Sequence, residues 1–317
     1  MIGESIALAI DLLKKGEVVA IPTETVYGLA ANALNETAVL NIFKIKNRPS
    51  FDPLIAHFSS FEKIKPFVKN IHPKALKLAA EFMPGPLTML LEKQDIVPDI
   101  VTSGSKKMAV RVPKHPMALE VLSALNFPLA APSANPFGFV SPTSALHVEK
   151  QLGEKIPYIL DGGDCLIGLE STIIDCTEWP FKVLRLGGLS IEKIEACLGE
   201  SLAQNLIQNS NPTAPGQLDK HYATHTPLYI IENLCAFKNT DKKNIAMLAF
   251  GNFETNEDVF VLNLSKKGDI DEAAKNLFKN LRHLDEQNFD EIITSFLPFN
   301  GLGKAINDRL SRAAHKD

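Results

Sequence analysis

Residues 44–57 read KIKNRPSFDPLIAH. Lys44, Lys46 and Arg48 stand at i, i+2 and i+4, and Pro49 follows at once. Pro53 comes four residues later, and the apolar run from Leu54 ends in His57. A solvated helix end accounts for Lys44 and Lys46. It does not account for Arg48, Pro49, Asp52, Pro53 and His57 together, because the prolines force a turn where the cations meet a buried strand. Residues 36–46 read as a helix entering the turn, and LIAHF (54–58) reads as the strand that leaves it.

The same alternation continues on both sides. Upstream, Ile6 to Leu13 suit an amphipathic helix stopped by Gly16, and EVVAIP (17–22) is a buried strand. Downstream, HPKALKLAAEF (72–82) and HPMALEVLSAL (115–125) are helical. PLTMLLEK (86–93), MAVRVP (108–113) and FPLAAP (127–132) are strands. SPTSALHVEKQL (141–152) is a helix expected to be capped by Ser141. YILDGG (158–163), ESTIIDC (170–176) and FKVLRLGG (181–188) are strands joined by glycine turns. Strands outnumber helices in the second half, so strict βαβ alternation fails and a mixed α/β sheet is expected. Residues 201–227 lose hydrophobic periodicity after Ile207 and are rich in Asn, Gln, Ser and Pro, as a linker is. A second α/β unit then begins, with strands LYIIE, NIAMLAF, DVFVLNL and EIITSFLP and helices IDEAAKNLFKNLRHL and GLGKAINDRLSRAA. The expected division is 1–205, a linker over 206–227, and a small domain over 228–317.

Several function classes are excluded early. The net charge of −4 gives no global basic signature for nucleic acid. Cys165, Cys176, Cys197 and Cys235 form no CxxC pair and no zinc spacing with histidine, so reduced thiols in a cytoplasmic protein are expected. The N-terminal segment is not a signal peptide, and no apolar run reaches the roughly 18 residues of a membrane span. GxSxG and GxxxxGK[ST] are both absent.

The sharpest clue is a count. Residues 1–200 hold seventeen lysines but three arginines, Arg48, Arg111 and Arg185. Each lies in a strand or turn with proline or glycine close by: NRP, VRVP and LRLGG. Arginine grips carboxylate and phosphate in a rigid fork, so three such positions could converge on one polyanion. Three loops rich in hydroxyls and small residues adjoin apolar strands: PTETVYG (22–28), APSANPFGFVSPT (131–143) and GLEST (168–172). Such loops suit phosphate, ribose or an amino acid. Asn135 could form an Asx turn, Glu24 could be a solvated loop acid, and His57 reads first as a satisfied core residue. These residues describe a two-domain α/β enzyme with an anion-binding cleft in its first domain.

The segments IPTETVYGLAANAL, KIKNRPSFDPLIAH, AVRVP, APSAN with SPT, LDGGDCLIGLESTIID and RLGG together resemble the threonylcarbamoyl-AMP synthase family. TAPGQLDKHYATHTPL resembles the linker of its long form, and GLGKAINDRLSRAA the end of its extra domain. The resemblance runs nearly end to end. It implies a YrdC-like twisted mixed sheet followed by a smaller Rossmann-like domain. It also implies a nucleotidyltransferase that makes L-threonylcarbamoyl-AMP and pyrophosphate from L-threonine, bicarbonate and ATP. ATP is then a substrate, with Mg²⁺ carried by its triphosphate and no dedicated metal site. The product feeds tRNA threonylcarbamoyladenosine modification by a separate transferase, with weak or no direct tRNA binding by this chain.

By position, the resemblance assigns Lys46, Arg48, Ser133 and Asn135 to catalysis. Arg48, Asp52, Lys107, Ser133, Ser141, Arg185 and Tyr222 fall on the ATP side. Thr25, His57, Arg111, Ala131 and Ser171 fall on the threonine side. The linker is expected to close over the site as a lid. Three positions depart from the family pattern: Asp52 replaces a usual asparagine, Lys107 a small residue, and HYATH the usual HYAP. The rival readings are an RNA-binding module and a nucleotide sensor without turnover. Twenty cationic against twenty-two acidic side chains in residues 1–200 disfavour the first.

Overall fold

In the computed structural model, which describes residues 1–204, 222–240 and 243–314, the opening stretch is organised by the helix that enters it. Asn35 starts the helix Glu36–Lys46 by accepting from the Ala38 amide at 3.1 Å, and Glu36 complements its first turn. Asn47 ends it in the left-handed region (φ 51°), and the Arg48 amide donates back to Phe43 O at 2.9 Å. Lys46 therefore leaves the last helical turn, and Arg48 begins the turn towards the next strand.

The first sheet contains β1 (Ile2–Gly3), β2 (Val19–Ile21), β3 (Gly28–Asn32), β4 (Ile55–His57), β5 (Leu87–Glu92) and β6 (Lys107–Arg111). It continues with β7 (Leu129–Ala130), β8 (Tyr158–Leu160), β9 (Thr172–Asp175), β10 (Lys182–Arg185) and β11 (Ala203–Gln204). Their spatial order is β1-β8-β2-β3-β7-β4-β6-β5-β9-β10-β11. The sheet is mixed, as expected: β4 runs parallel to β6 and antiparallel to β7. That register sets His57 beside Arg111 on one side and Leu129 on the other. The second sheet holds β12 (Leu228–Ile230), β13 (Ile245–Ala249), β14 (Phe260–Asn263) and β15 (Glu291–Thr294) in the order β12-β15-β13-β14. All its pairs are parallel, so no hairpin joins neighbours; the helix Ile270–Asp285 makes the crossover from β14 to β15, and the helix Gly303–Ala313 follows the last strand.

The two units share one core. A single apolar cluster runs from Leu29, Met89 and Ile174 in the first sheet to Phe278, Leu281, Ile306 and Leu310 on the helices of the second. A separate cluster packs Ala9 and Leu13 on the first helix against Val19, Ile21 and Tyr158.

Three local expectations are corrected or extended, and a fourth falls mostly outside the described residues. Ser141 does not cap the helix that follows it. The helix is Ala145–Leu152, and Ser144 caps it. The backbone just before that cap is already engaged elsewhere: Tyr27 N donates to Pro142 O and Cys165 N to Thr143 O, both at 2.9 Å. The strands β1 and β11 are too short for periodicity to reveal, and parallel pairing with β8 and β10 creates them. Ile191–Leu198 is a further helix, with Ile191, Ile194 and Leu198 buried at helical spacing. Most of the expected linker, residues 206–221, lies outside the described residues, whereas Tyr222 to Pro227 fall within them.

The units meet closely at Gly168. It has φ +76°, and a Cβ there would lie 2.6 Å from Lys275 O and 2.8 Å from Ala274 O. Both the conformation and the approach require glycine. Gly168→Ala should destabilise the chain by about 2–4 kcal/mol through combined strain and overpacking, read as a lower urea midpoint. An unchanged midpoint would show that the helix can retreat at no cost.

Candidate active site

The three arginines of the first unit do converge. Arg48, Arg111 and Arg185 line one cleft, together with His57, Ala131, Ser133, Ser171 and Tyr222. Thr23, Val26, Gly28, Ile55, Pro132 and Glu170 complete its wall. The arginines come from the turn after helix Glu36–Lys46, from the end of β6 and from the end of β10. Gly28 lets the Ala131–Ser133 loop lie close over β3: a Cβ there would meet Ala131 Cβ at 3.2 Å.

Each arginine is held by the protein before any ligand arrives. Arg48 donates from Nε to Asp52 O at 3.1 Å and from Nη2 to Pro53 O at 2.9 Å. Its Nη2 also lies 2.9 Å from Asp52 Oδ2. Arg111 donates from Nη2 to Glu24 Oε1 at 2.7 Å and to Thr25 Oγ1 at 2.8 Å. Arg185 donates from Nε and Nη2 to Ser171 O, and from Nη2 to Ser171 Oγ at 3.1 Å. Burial lowers Arg185 to about 10 even with Glu170 pulling it up, so it remains cationic at neutral pH. Glu24 is not a solvated loop acid. It is 3% exposed, pairs with Arg111, and accepts from the Lys114 amide at 2.9 Å.

The remaining sequence-named residues stand behind the wall or away from it. Lys46 is 1% exposed and donates from Nζ to Ser133 O at 2.6 Å and to Asn135 O. It ties the S-x-N turn to the helix end, and burial and then Arg48 push its pKa well down. Asn135 donates to Pro136 O and Phe139 O, both at 2.8 Å, which fixes the PFGF turn; among the described residues its Oδ1 has no hydrogen-bond partner. Asp52 is fully buried. Desolvation pushes its carboxyl up, against the pull of Arg48, Lys46 and Arg185. Thr25 lies between Thr23 and Arg111, with its Oγ1 2.8 Å from Thr23 Oγ1. Lys107 does not reach the cleft wall; it pairs with Asp175 at 2.7 Å.

Sequence reasoning passed over three residues around this cleft. Glu170 lines it and accepts the Ser141 hydroxyl at 2.7 Å. Arg309 and Arg282 reach the site's surroundings from the second unit. Arg282 donates to Val140 O and to Gln151 Oε1 at 2.9 Å, which holds the loop carrying Ser141. Glu170 sits inside the quoted GLEST segment and was legible as an acid at a strand start. Neither arginine of the second unit carried a local signal. Tyr222, expected to face the nucleotide, is fully buried with φ 67°. It stacks on Phe278 at 5.3 Å, and Ala223 N donates to Gly138 O at 2.8 Å.

A mixed sheet with buried arginines converging on a hydroxyl-lined cleft makes this an α/β protein with an anion-binding site. Comparison with known proteins makes this specific. Residues 11–187 match the family model described as telomere recombination, and residues 189–315 match the threonylcarbamoyl-AMP synthase C-terminal domain. The chain is 42% identical to a threonylcarbamoyl-AMP synthase of Pyrococcus abyssi, covering 98% of this chain and 94% of that protein. It is 38% identical to one of Bacillus subtilis, covering 98% and 92%. The crystal structure of P. abyssi Sua5 complexed with L-threonine superposes with a TM-score of 0.91 at 41% identity, covering 98% of this chain and 94% of that one. The chain belongs to the threonylcarbamoyl-AMP synthase family.

His57 gives the cleft a measurable pH signature. Burial pushes its imidazole down to about 3, and the Arg111 charge adds to the shift. The folded chain keeps the ring neutral, whereas the unfolded chain protonates it near pH 6.5. The stability linked to it is complete above pH 6.5 and is lost as pH falls towards 3, by about 1.4 kcal/mol per unit. His57→Gln should flatten the unfolding free energy between about pH 6.5 and pH 4 in denaturant titrations. An unchanged slope would show that another group carries the acid sensitivity.

Proposed function

We infer that the chain is an L-threonylcarbamoyladenylate synthase, which converts L-threonine, bicarbonate and ATP to L-threonylcarbamoyl-AMP and pyrophosphate. The observation that carries this reading is the convergence of Arg48, Arg111 and Arg185, distant in sequence, on one cleft. The near full-length relatives and the L-threonine complex of the P. abyssi protein support it.

The threonine amine takes up bicarbonate with loss of water, which yields an N-carboxy group. One oxygen of that carbamate attacks the α-phosphorus of ATP. The bond to the bridging oxygen breaks, and pyrophosphate leaves with the electron pair. Nucleophile and electrophile are both anionic, so fixed cations must bring them together and stabilise the pentacoordinate charge. Arg48 and Arg185 are proposed to face the triphosphate, with Ser133 and Ser141 on the same side. Arg111, His57, Thr25, Ala131 and Ser171 are proposed to receive threonine. Lys46 and Asn135 shape the Ser133 turn; a direct catalytic contact by Lys46 requires its ammonium to leave the two carbonyls it now holds. Lys107 and Asp52 are weaker candidates for touching ATP, since both are engaged by other side chains.

Magnesium would enter on the triphosphate and neutralise its charge. The acids around the cleft, Glu24, Asp52 and Glu170, are engaged with arginines. Both carbamate and mixed anhydride hydrolyse readily, so the site must exclude water. Tyr222 on the cleft wall supports a covering role for the described end of the linker, Tyr222 to Pro227. The short-lived product calls for a separate transferase that delivers the threonylcarbamoyl group to tRNA. The free cysteines support a reducing, cytoplasmic setting, and among the described residues no helix is long and apolar enough to cross a membrane.

Pyrophosphate release from ATP should require both L-threonine and bicarbonate, and Arg48→Ala should abolish it. Release that ignores threonine, or ATP binding without turnover, would overturn the synthase reading. L-serine should be a partial substrate, because discrimination by one methyl is worth only about 1–3 kcal/mol.

A further inference from the structure

Glu170 is the unexpected member of the cleft. It is 6% exposed and lines a site whose purpose is to hold a polyanion. A bare carboxylate there would repel a triphosphate, and burial would amplify the effect. It is not bare. Its Oε1 accepts the Ser141 hydroxyl at 2.7 Å, and its Oε2 accepts from Arg309 Nε at 3.1 Å. Arg309 lies on the last helix of the chain, Gly303–Ala313, and is completely buried.

The same guanidinium does more than pair with Glu170. Its Nη2 donates to Leu186 O at 2.7 Å, immediately after β10, the strand that ends in Arg185. Its Nη1 meets Asp308 Oδ2 at 2.5 Å, and Arg312 Nε holds Asp308 Oδ1 at 3.0 Å. Its Cζ lies 5.1 Å from the centroid of the Tyr222 ring. One side chain of the second unit thus touches the acid of the cleft, the chain beyond Arg185, and the tyrosine on the cleft wall. Lysine offers one compact charge and could not keep this forked set of contacts.

We propose that Arg309 is a positioning residue for the nucleotide, supplied by the second domain. It neutralises Glu170, so that Arg185 keeps its place on Ser171 and its charge is directed at the triphosphate. This rests on the synthase reading for the identity of the anion. It gives the second domain a chemical role in the site, in addition to its packing. Without Arg309, the Glu170 carboxylate either repels the phosphates or draws Arg185 away from Ser171. Either outcome weakens ATP binding, whereas Arg111, held by Glu24, and His57, held in β4, keep their places on the threonine side, where Ser171 contacts Arg185.

The test is a double-mutant cycle on the full-length chain. ATP affinity is measured by calorimetry and both KM values by pyrophosphate release, for wild type, Glu170→Gln, Arg309→Met and the double variant. Arg309→Met should raise the ATP Kd and KM about tenfold or more, with the threonine KM changed less than about threefold. Adding Glu170→Gln should restore ATP affinity to within about threefold of wild type, because the uncompensated charge is gone. A merely structural arginine predicts otherwise: both KM values shift together, and the double variant is no better than Arg309→Met. Either result would overturn the proposal. Where Arg309→Met fails to fold, Arg309→Gln removes the charge while keeping a donor, and the same rescue by Glu170→Gln is required. Wild type that binds ATP but shows no threonine-dependent release would instead defeat the synthase reading, and the calorimetric cycle would still decide the role of Arg309.

Discussion

Three buried arginines in this chain are held by buried carboxylates, and the cleft depends on that pairing. Arg48 lies against Asp52, Arg111 against Glu24, and Arg309 against Glu170. A guanidinium removed from water must keep its hydrogen bonds and find a counter-charge, or the desolvation cost exceeds what folding supplies. Here the carboxylates and main-chain carbonyls satisfy one side of each fork, and the cleft retains a cationic face. Such sites need little reorganisation when charge develops in a reaction, because the dipoles are already oriented by the fold.

The scaffold makes this possible by bringing distant strand ends together. In the sheet, β4 lies between β7 and β6, so His57 and Arg111 share a register. β9 and β10 then present Ser171 and Arg185 from the other side. The last turn of helix Glu36–Lys46 aims Lys46 at the carbonyls of Ser133 and Asn135, which locks the opposing loop. The second unit is joined to this arrangement through a continuous apolar core and through Arg282 and Arg309. The exposed ion pairs between the units, such as Lys150 with Glu286 and Lys304 with Glu192, add little by comparison.

Much of the fold was legible because periodicity is a local property. The strands LIAHF and PLTMLLEK and the helix IDEAAKNLFKNLRHL appear with close to their expected bounds. Where reading failed, a partner elsewhere decided the outcome. β1 and β11 exist only because β8 and β10 offer free edges. Ser141 has the sequence of a cap, yet neighbouring strands and loops use the backbone around it, and its hydroxyl serves Glu170. Glu24 looks solvated in a polar loop until Arg111 is brought against it.

The sequence by itself determined two α/β units, the scarcity of arginine in the first, and the family to which its ordered motifs point. These follow from residue type, spacing and order along the chain, all of which survive without coordinates. Only the tertiary structure decided which arginine pairs with which acid, that Lys46 grips carbonyls behind the wall, and that Arg309 from the last helix reaches Glu170. Such contacts join residues up to 139 positions apart, as Glu170 and Arg309 are. No local pattern encodes them, because the strength of a charge pair depends on distance and burial in the folded chain.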